Sequence, residues 1–138
     1  MPIELPMSGV DFSEVDVFRE LRGEHLRGVG PALRCFRYGD GEVLFREGAS
    51  DDALIGLVEG RVRVTKQNER GEAIELALLR SGMSVGEMAL IDGAPRSATA
   101  RAVGRVVVIR LSQAAFERLG VEQPVATVLI QRALLRSL

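Results

Sequence analysis

The chain has 138 residues, the length of one ordinary domain, and 46% of them are hydrophobic, enough for a single packed core. A net charge of −1 gives no overall field toward nucleic acid or anionic lipid, and the longest apolar runs, such as Val106-Val107-Val108-Ile109, fall far short of the roughly 20 residues of a membrane span, so neither direct DNA binding nor membrane insertion is expected. Cys35 and His25 are the only cysteine and histidine, which excludes an internal disulfide and is too thin a ligand set for a transition-metal centre, so no metal and no cofactor are expected.

Met1-Pro2-Ile3-Glu4-Leu5-Pro6 lacks the basic and apolar regions of a secretory signal, and with the lone cysteine this reads as a cytoplasmic protein. Residues 1–12 carry prolines and a glycine without periodicity and read as a tail; residues 13–138 read as one domain. From Ser13 to Leu33, the apolar positions Val17, Phe18, Leu21, Leu26, Val29 and Leu33 predict one or two short helices, the first capped by Ser13 and broken near Gly23. His25 lies in the charged stretch Arg22-Gly23-Glu24-His25-Leu26-Arg27, which reads as a solvated helix face and not as a corner of a catalytic triad.

From Arg34 to Leu111 short apolar segments alternate with turn signals. Strands are predicted at 34–38, 42–46, 53–58, 61–65, 73–79, 97–102 and 106–110. The separators include Glu59-Gly60, Asn68-Glu69-Arg70-Gly71, Asp92-Gly93-Ala94-Pro95 and Gly104. Many short strands with regular turns indicate a double-sheet jelly roll. Ser112 then caps a helix that Gly120 ends, and Pro124 suits the first turn of a final helix from Val125 to Leu138. The expected fold class is α+β, an antiparallel β-roll flanked by N-terminal and C-terminal helices.

Residues 82–102 carry the chemistry. Gly86 lets backbone approach a ligand closely, and Glu87 to Ile91 is a short run of helix formers that interrupts a strand-rich region. Asp92 to Pro95 turns the chain back, so that Arg96 faces the same point, with a guanidinium suited to phosphate oxygens. Ser97, Ala98 and Ala100 leave room. Glu87 would repel a bare phosphate, so its use is to accept from a hydroxyl beside it. Phosphate with an adjacent hydroxyl describes a ribose phosphate whose 2′-OH is free. The competing reading of Glu87 and Arg96 is a local ion pair that ties the turn together.

Gly86-Glu87-Met88-Ala89-Leu90, with Pro95-Arg96-Ser97-Ala98-Thr99, resembles the phosphate-binding cassette of cyclic nucleotide-binding domains. These occur in catabolite activator-type regulators, kinase regulatory subunits and gated channels. The glycine pattern of Gly41 to Gly48 and of Gly60-Arg61-Val62 is also similar. The resemblance implies a non-catalytic regulatory domain that binds cAMP or cGMP. Glu87 would accept from the ribose 2′-OH and Arg96 would pair with the cyclic phosphate. Backbone amides around Gly86, Met88, Ala89 and Ser97 would complete the cradle, Ala98 would also belong to the ligand-binding positions, and Val64, Leu76 and Leu79 would offer apolar contacts to the purine or serve as plain core.

DNA-binding members of the family it resembles carry a helix-turn-helix after the last helix, and no such element is expected within these residues. Residues 124–138 also hold no aromatic to lid a base, so the ligand is expected to lie more exposed or to be covered by another chain. The apolar last helix predicts a homodimer or a parent-protein domain through residues 124–138 and a relay of ligand binding through the C-terminal helices. The alternative is a β-roll interaction module that has lost nucleotide binding.

Overall fold

Valine, isoleucine and leucine dominate the middle of the chain, and side chains of this kind favour a pleated surface. In the structure, a computed structural model that describes residues 1–137, they form an antiparallel roll with helices before and after it. The strands are β1 (Ile3–Leu5), β2 (Arg34–Tyr38), β3 (Val43–Phe45), β4 (Leu54–Gln67), β5 (Ala73–Arg80), β6 (Ser84–Val85) and β7 (Thr99–Leu111). The helices are α1 (Gly23–Val29), α2 (Glu87–Asp92), α3 (Gln113–Glu122) and α4 (Pro124–Ser137), with short 3₁₀ turns at Asp16–Phe18 and Gly30–Ala32. The α+β class and the β-roll are as expected. Among the described residues no helix is long and apolar enough to cross a membrane.

The strand order is β1-β2-β7-β4-β5, with β3 added to β7 and β6 to β4. β4 and β7 are longer than the sequence suggests because two separators are irregularities inside strands, not turns. At Gly60 the backbone takes φ +96°, and a Cβ there would lie 2.6 Å from the Arg105 carbonyl oxygen. The register against β7 shifts on both sides of Glu59, so the strand bends and continues. Gly104, with φ +71°, does the same in β7.

Three further expectations are corrected. Residues 1–12 are not a free tail: β1 pairs with β2, Ile3 opposite Arg37 and Leu5 opposite Cys35, and Met7, Val10 and Phe12 pack on the core. Ser13 caps no helix, since its hydroxyl donates to Asp11 and α1 opens only at Gly23. Gly120 does not end α3, which runs to Glu122; a glycine inside a helix is tolerated where packing holds the element. Ser112 caps α3 as expected, accepting from the Ala115 N–H at 3.1 Å.

Two buried clusters hold the fold. One lies inside the roll, around Leu57, Val62, Val106 and Val108. The other joins the N-terminal turns, α2 and the last two helices through Val15, Phe18, Leu90, Ile130 and Leu134. Helix α4 buries Ala126, Ile130 and Leu134 there, while Val125, Val128 and Leu135 on other faces stay exposed. Leu138, the last residue of the predicted stripe, lies outside the described residues. Ile130→Ala should cost about 2–5 kcal/mol of unfolding free energy, because the residue is wholly buried, whereas Val128→Ala should stay within about 0.5 kcal/mol. Urea unfolding of both variants checks the docked face of α4.

Candidate functional site

Strand β6 delivers the chain to Gly86, whose φ of +102° and ψ of 27° belong to the left-handed region that glycine adopts without strain. Helix α2 starts at the next residue and closes at Gly93, again left-handed, whose N–H donates to the Ala89 carbonyl. The Asp92 carboxylate accepts from the Ala94 N–H at 2.9 Å and fixes the turn into Pro95. The backbone of Arg96 is then clamped to the loop after β3. Its N–H donates to the Ala49 carbonyl at 3.0 Å, and its carbonyl accepts from the Gly48 N–H at 2.7 Å.

The Arg96 side chain is 2% exposed. Its guanidinium lies over the Phe45 ring, 4.2 Å from the centroid. Nη2 donates to the Ala53 carbonyl at 2.5 Å and pairs with Asp51 at 3.1 Å. Nε and Nη1 are buried and have no hydrogen-bond partner among the described residues. A Cβ on Gly86 would collide with Nη1 and approach the Ala53 carbonyl oxygen to 2.9 Å. The glycine thus answers two demands at once, a left-handed turn and contact with a buried cation. Asp51 also pairs with Arg110 of β7 at 2.6 Å. Burial would raise the Asp51 carboxyl, but hydrogen bonding and charge from Arg110, then from Arg96, outweigh it and hold the group below the ordinary carboxylate value.

A cleft of about 200 Å³ opens above this arginine. Gly86, Glu87, Met88, Ala89, Arg96, Ser97, Ala98, Val64 and Leu76 all line it, so nine of the sequence-predicted positions converge. Leu79 does not: it turns into the roll with Val62 and Val106. Leu76 reaches the cleft through a β-bulge. Val64 faces Ala77 and Thr65 faces Glu75, which leaves Leu76 as the extra residue of β5, 56% exposed. Glu87 is half-buried, and among the described residues its carboxylate makes no hydrogen bond or ion pair. The local Glu87–Arg96 ion pair is therefore not formed; the partner of Arg96 is Asp51.

Phe45, Val85 and Pro95 also line the cleft, and Asp51, Ala53 and Arg110 complete its support. Phe45 and Asp51 come from the glycine-patterned segment around Gly41 to Gly48 and the loop beyond it, far from Arg96 in sequence. Only the strand pairing brings them together. Of the polar residues late in the chain, Arg136 pairs with Glu20, and Gln131 lines a separate groove between α2, α3 and α4. No cluster of three metal-ligating side chains occurs among the described residues.

The profile of the family "Cyclic nucleotide-binding domain" matches residues 35–122. The chain is similar to a cAMP-dependent protein kinase regulatory subunit of Blastocladiella emersonii, 33% identical over 106 residues that cover 77% of this chain and 26% of the relative. It spans about a quarter of the length of the kinase regulatory subunits it matches. Its fold is similar to a cyclic nucleotide-binding domain from Methylobacillus flagellatus, with a TM-score of 0.88 and 25% identity, covering 98% of this chain and 80% of that one. It is also similar to the regulatory domain of Toxoplasma gondii PKA crystallised with cAMP, with a TM-score of 0.74 and 29% identity, covering 92% and 49%.

Asp51→Asn should destabilise the protein by about 2–3 kcal/mol, since it removes the counter-charge of a buried guanidinium. Because the folded-state carboxyl is held low, its stabilisation is present above the unfolded value of roughly 4 and is lost as the pH falls through the lower folded value. Thermal melts between neutral and acid pH should show a steeper acid loss in the wild type than in Asp51→Asn.

Proposed function

The chain belongs to the cyclic nucleotide-binding domain family, and from that premise we propose that it binds cAMP or cGMP in the cleft above Arg96 without consuming it and relays the event through α3 and α4. The observation that carries the proposal is the buried Arg96 with Nε and Nη1 unpartnered. A buried donor without an acceptor costs about 1–3 kcal/mol, more when charged, and an anionic ligand removes that cost. A cyclic phosphate supplies the anion. Glu87, free of other partners at the cleft, accepts from the neighbouring 2′-OH. The cleft is small beside the roughly 300–1,000 Å³ of pockets that enclose whole ligands, so the base extends over the exposed Leu76 and Met88 at the rim.

Nη1 is buried and so close to Gly86 that a Cβ would not fit between them, so ligand entry shifts the Gly86–Glu87 turn and α2 with it. The Leu90 carbonyl of α2 accepts from the Gln113 side chain at 3.3 Å, and Leu90 shares a buried cluster with Ile130 and Leu134. Motion of α2 therefore reaches α3 and α4 directly. The competing module reading draws on the exposed Val125, Val128 and Leu135 and leaves the buried, half-satisfied Arg96 without a purpose. Within the longer proteins that its relatives represent, the domain is proposed to act in the cytoplasm as the sensor and α4 as its contact to a second copy or a neighbouring domain.

Calorimetry against cAMP and cGMP tests binding, and the recovered nucleotide should be chemically intact. A folded protein that binds neither would sink the proposal in favour of the module. Arg96→Ala should weaken binding by roughly 30-fold or more, the equivalent of about 2–5 kcal/mol for a desolvated charge pair. Glu87→Ala should weaken the natural ligand but leave a 2′-deoxy analogue nearly unaffected. Saturating ligand should also change amide exchange in residues 112–137 as well as around Gly86; an unchanged C-terminal segment would reject the relay.

A further inference from the structure

The outer face of the sheet carries a charged cluster that the nucleotide site does not use. On β4, Arg61 and Arg63 alternate with the buried Val62 and Val64, so both stand on the face away from the roll interior. The register places Arg61 directly opposite Arg80 of β5, and Arg63 directly opposite Arg101 of β7. All four are exposed, in a chain whose net charge is −1.

Like charges directly across an antiparallel pair destabilise it, and here two such pairs adjoin. Compensation is partial. Arg63 pairs with Glu75 at 2.6 Å, and Arg101 donates to the Gly41 carbonyl at 2.7 Å. The Arg61 and Arg80 side chains have no ion pair or hydrogen bond among the described residues. An arrangement that costs stability and satisfies nothing within the chain points outward, to an anion.

The surroundings select the kind of anion. The neighbours on this face are Thr65, Leu78 and Val103, with no aromatic on which a single-stranded nucleic acid would stack. Leu78 and Val103 are half-buried, so the face offers no projecting apolar anchor for a bilayer. β5 is the last strand in the order and pairs only with β4, but its edge is closed at Arg80, whose N–H donates to the Met83 sulfur at 3.4 Å and whose carbonyl accepts from the Met83 N–H at 3.0 Å. A partner is therefore met by side chains: Arg80 and Arg61 stand opposite each other on adjacent strands, about 5 Å apart, within reach of neighbouring carboxylates of one segment.

We propose that this face docks an acidic, extended segment of a partner protein, which lies across β4 and β5 and sets carboxylates against Arg80 and Arg61. Neither Arg61 nor Arg80 lines the cleft, so docking over them and nucleotide binding are independently measurable.

The test uses a fluorescent dodecapeptide alternating Glu and Thr, with a Lys-for-Glu counterpart, followed by anisotropy against the whole chain at low salt. Phosphatidylserine-containing vesicles and single-stranded DNA serve as the competing classes. The acidic peptide should bind, and the double variant Arg61→Gln/Arg80→Gln should weaken it by about tenfold or more while leaving cyclic nucleotide titrations unchanged. Arg80→Gln alone should melt at the same temperature as the wild type or higher, because it relieves repulsion. Failure of the acidic peptide to bind, equal binding of the lysine peptide, or unchanged binding by the double variant would overturn the proposal. So would stronger retention on vesicles or DNA, or a lower melting temperature for Arg80→Gln, which would make the cluster structural.

Discussion

A guanidinium taken out of water sets the terms for the centre of this protein. Arg96 brings a guanidinium into the interior, and an unpaired buried charge is among the most costly features a domain can carry. The structure meets the cost in parts: one carboxylate from Asp51, one carbonyl from Ala53 and the face of Phe45. Each part constrains something else. The Ala53 carbonyl must stand at the start of β4, the Phe45 ring must close the end of β3, and Gly86 must lack a side chain for Nη1 to fit. The remaining donors are left over because the described residues supply no further acceptor at that depth.

Asp51 has a second tie, to Arg110 near the end of β7. The carboxylate therefore joins the segment before the strand with the segment at its far end, and the loop between β3 and β4 is held from both sides. This matters for geometry more than for raw stability. A cation fixed by two anchors at one nitrogen presents its other nitrogens in a fixed direction, which is what selective recognition of an anion needs.

The residues legible in the sequence are those whose role is local. Gly86, the α2 helix formers, the turn to Pro95 and Arg96 lie within one short segment, and chain geometry alone brings them together. Strand positions were legible wherever alternation was clean, as from Arg61 to Thr65. What escaped depends on long-range pairing. Asp51 and Phe45 reach Arg96 only because β3 pairs with β7 and the loop after β3 clamps its backbone. Gly60 and Gly104 looked like turns because a glycine of positive φ has the same signature in a bulge as in a hairpin. Leu79 and Leu76 were indistinguishable by type, and one bulge sends the second to the cleft and leaves the first in the core. The docking of residues 1–12 rests on backbone pairing along β2, which composition does not report.

The same residue type does opposite work on the two faces of the sheet. Inside, one arginine is held by several groups and its charge is nearly enclosed; outside, several arginines face each other with one carboxylate among them. An enclosed charge responds to one small anion with a large change in local free energy, because the surrounding dielectric is low and the donors are already in place. An exposed cluster responds weakly per contact and is screened by salt, so it requires several carboxylates at once. Coupling between the cleft and the helices is possible only if the two positions of α2 differ in their affinity for the anion. The tight approach of Gly86 to Nη1, where a Cβ would not fit, supplies that difference on the proposed reading, because an anion that bonds Nη1 must move the turn. On the proposed reading, the position of α2 and the hydrogen bonding of Arg96 are one variable, and the Leu90–Gln113 bond carries that variable into the C-terminal helices.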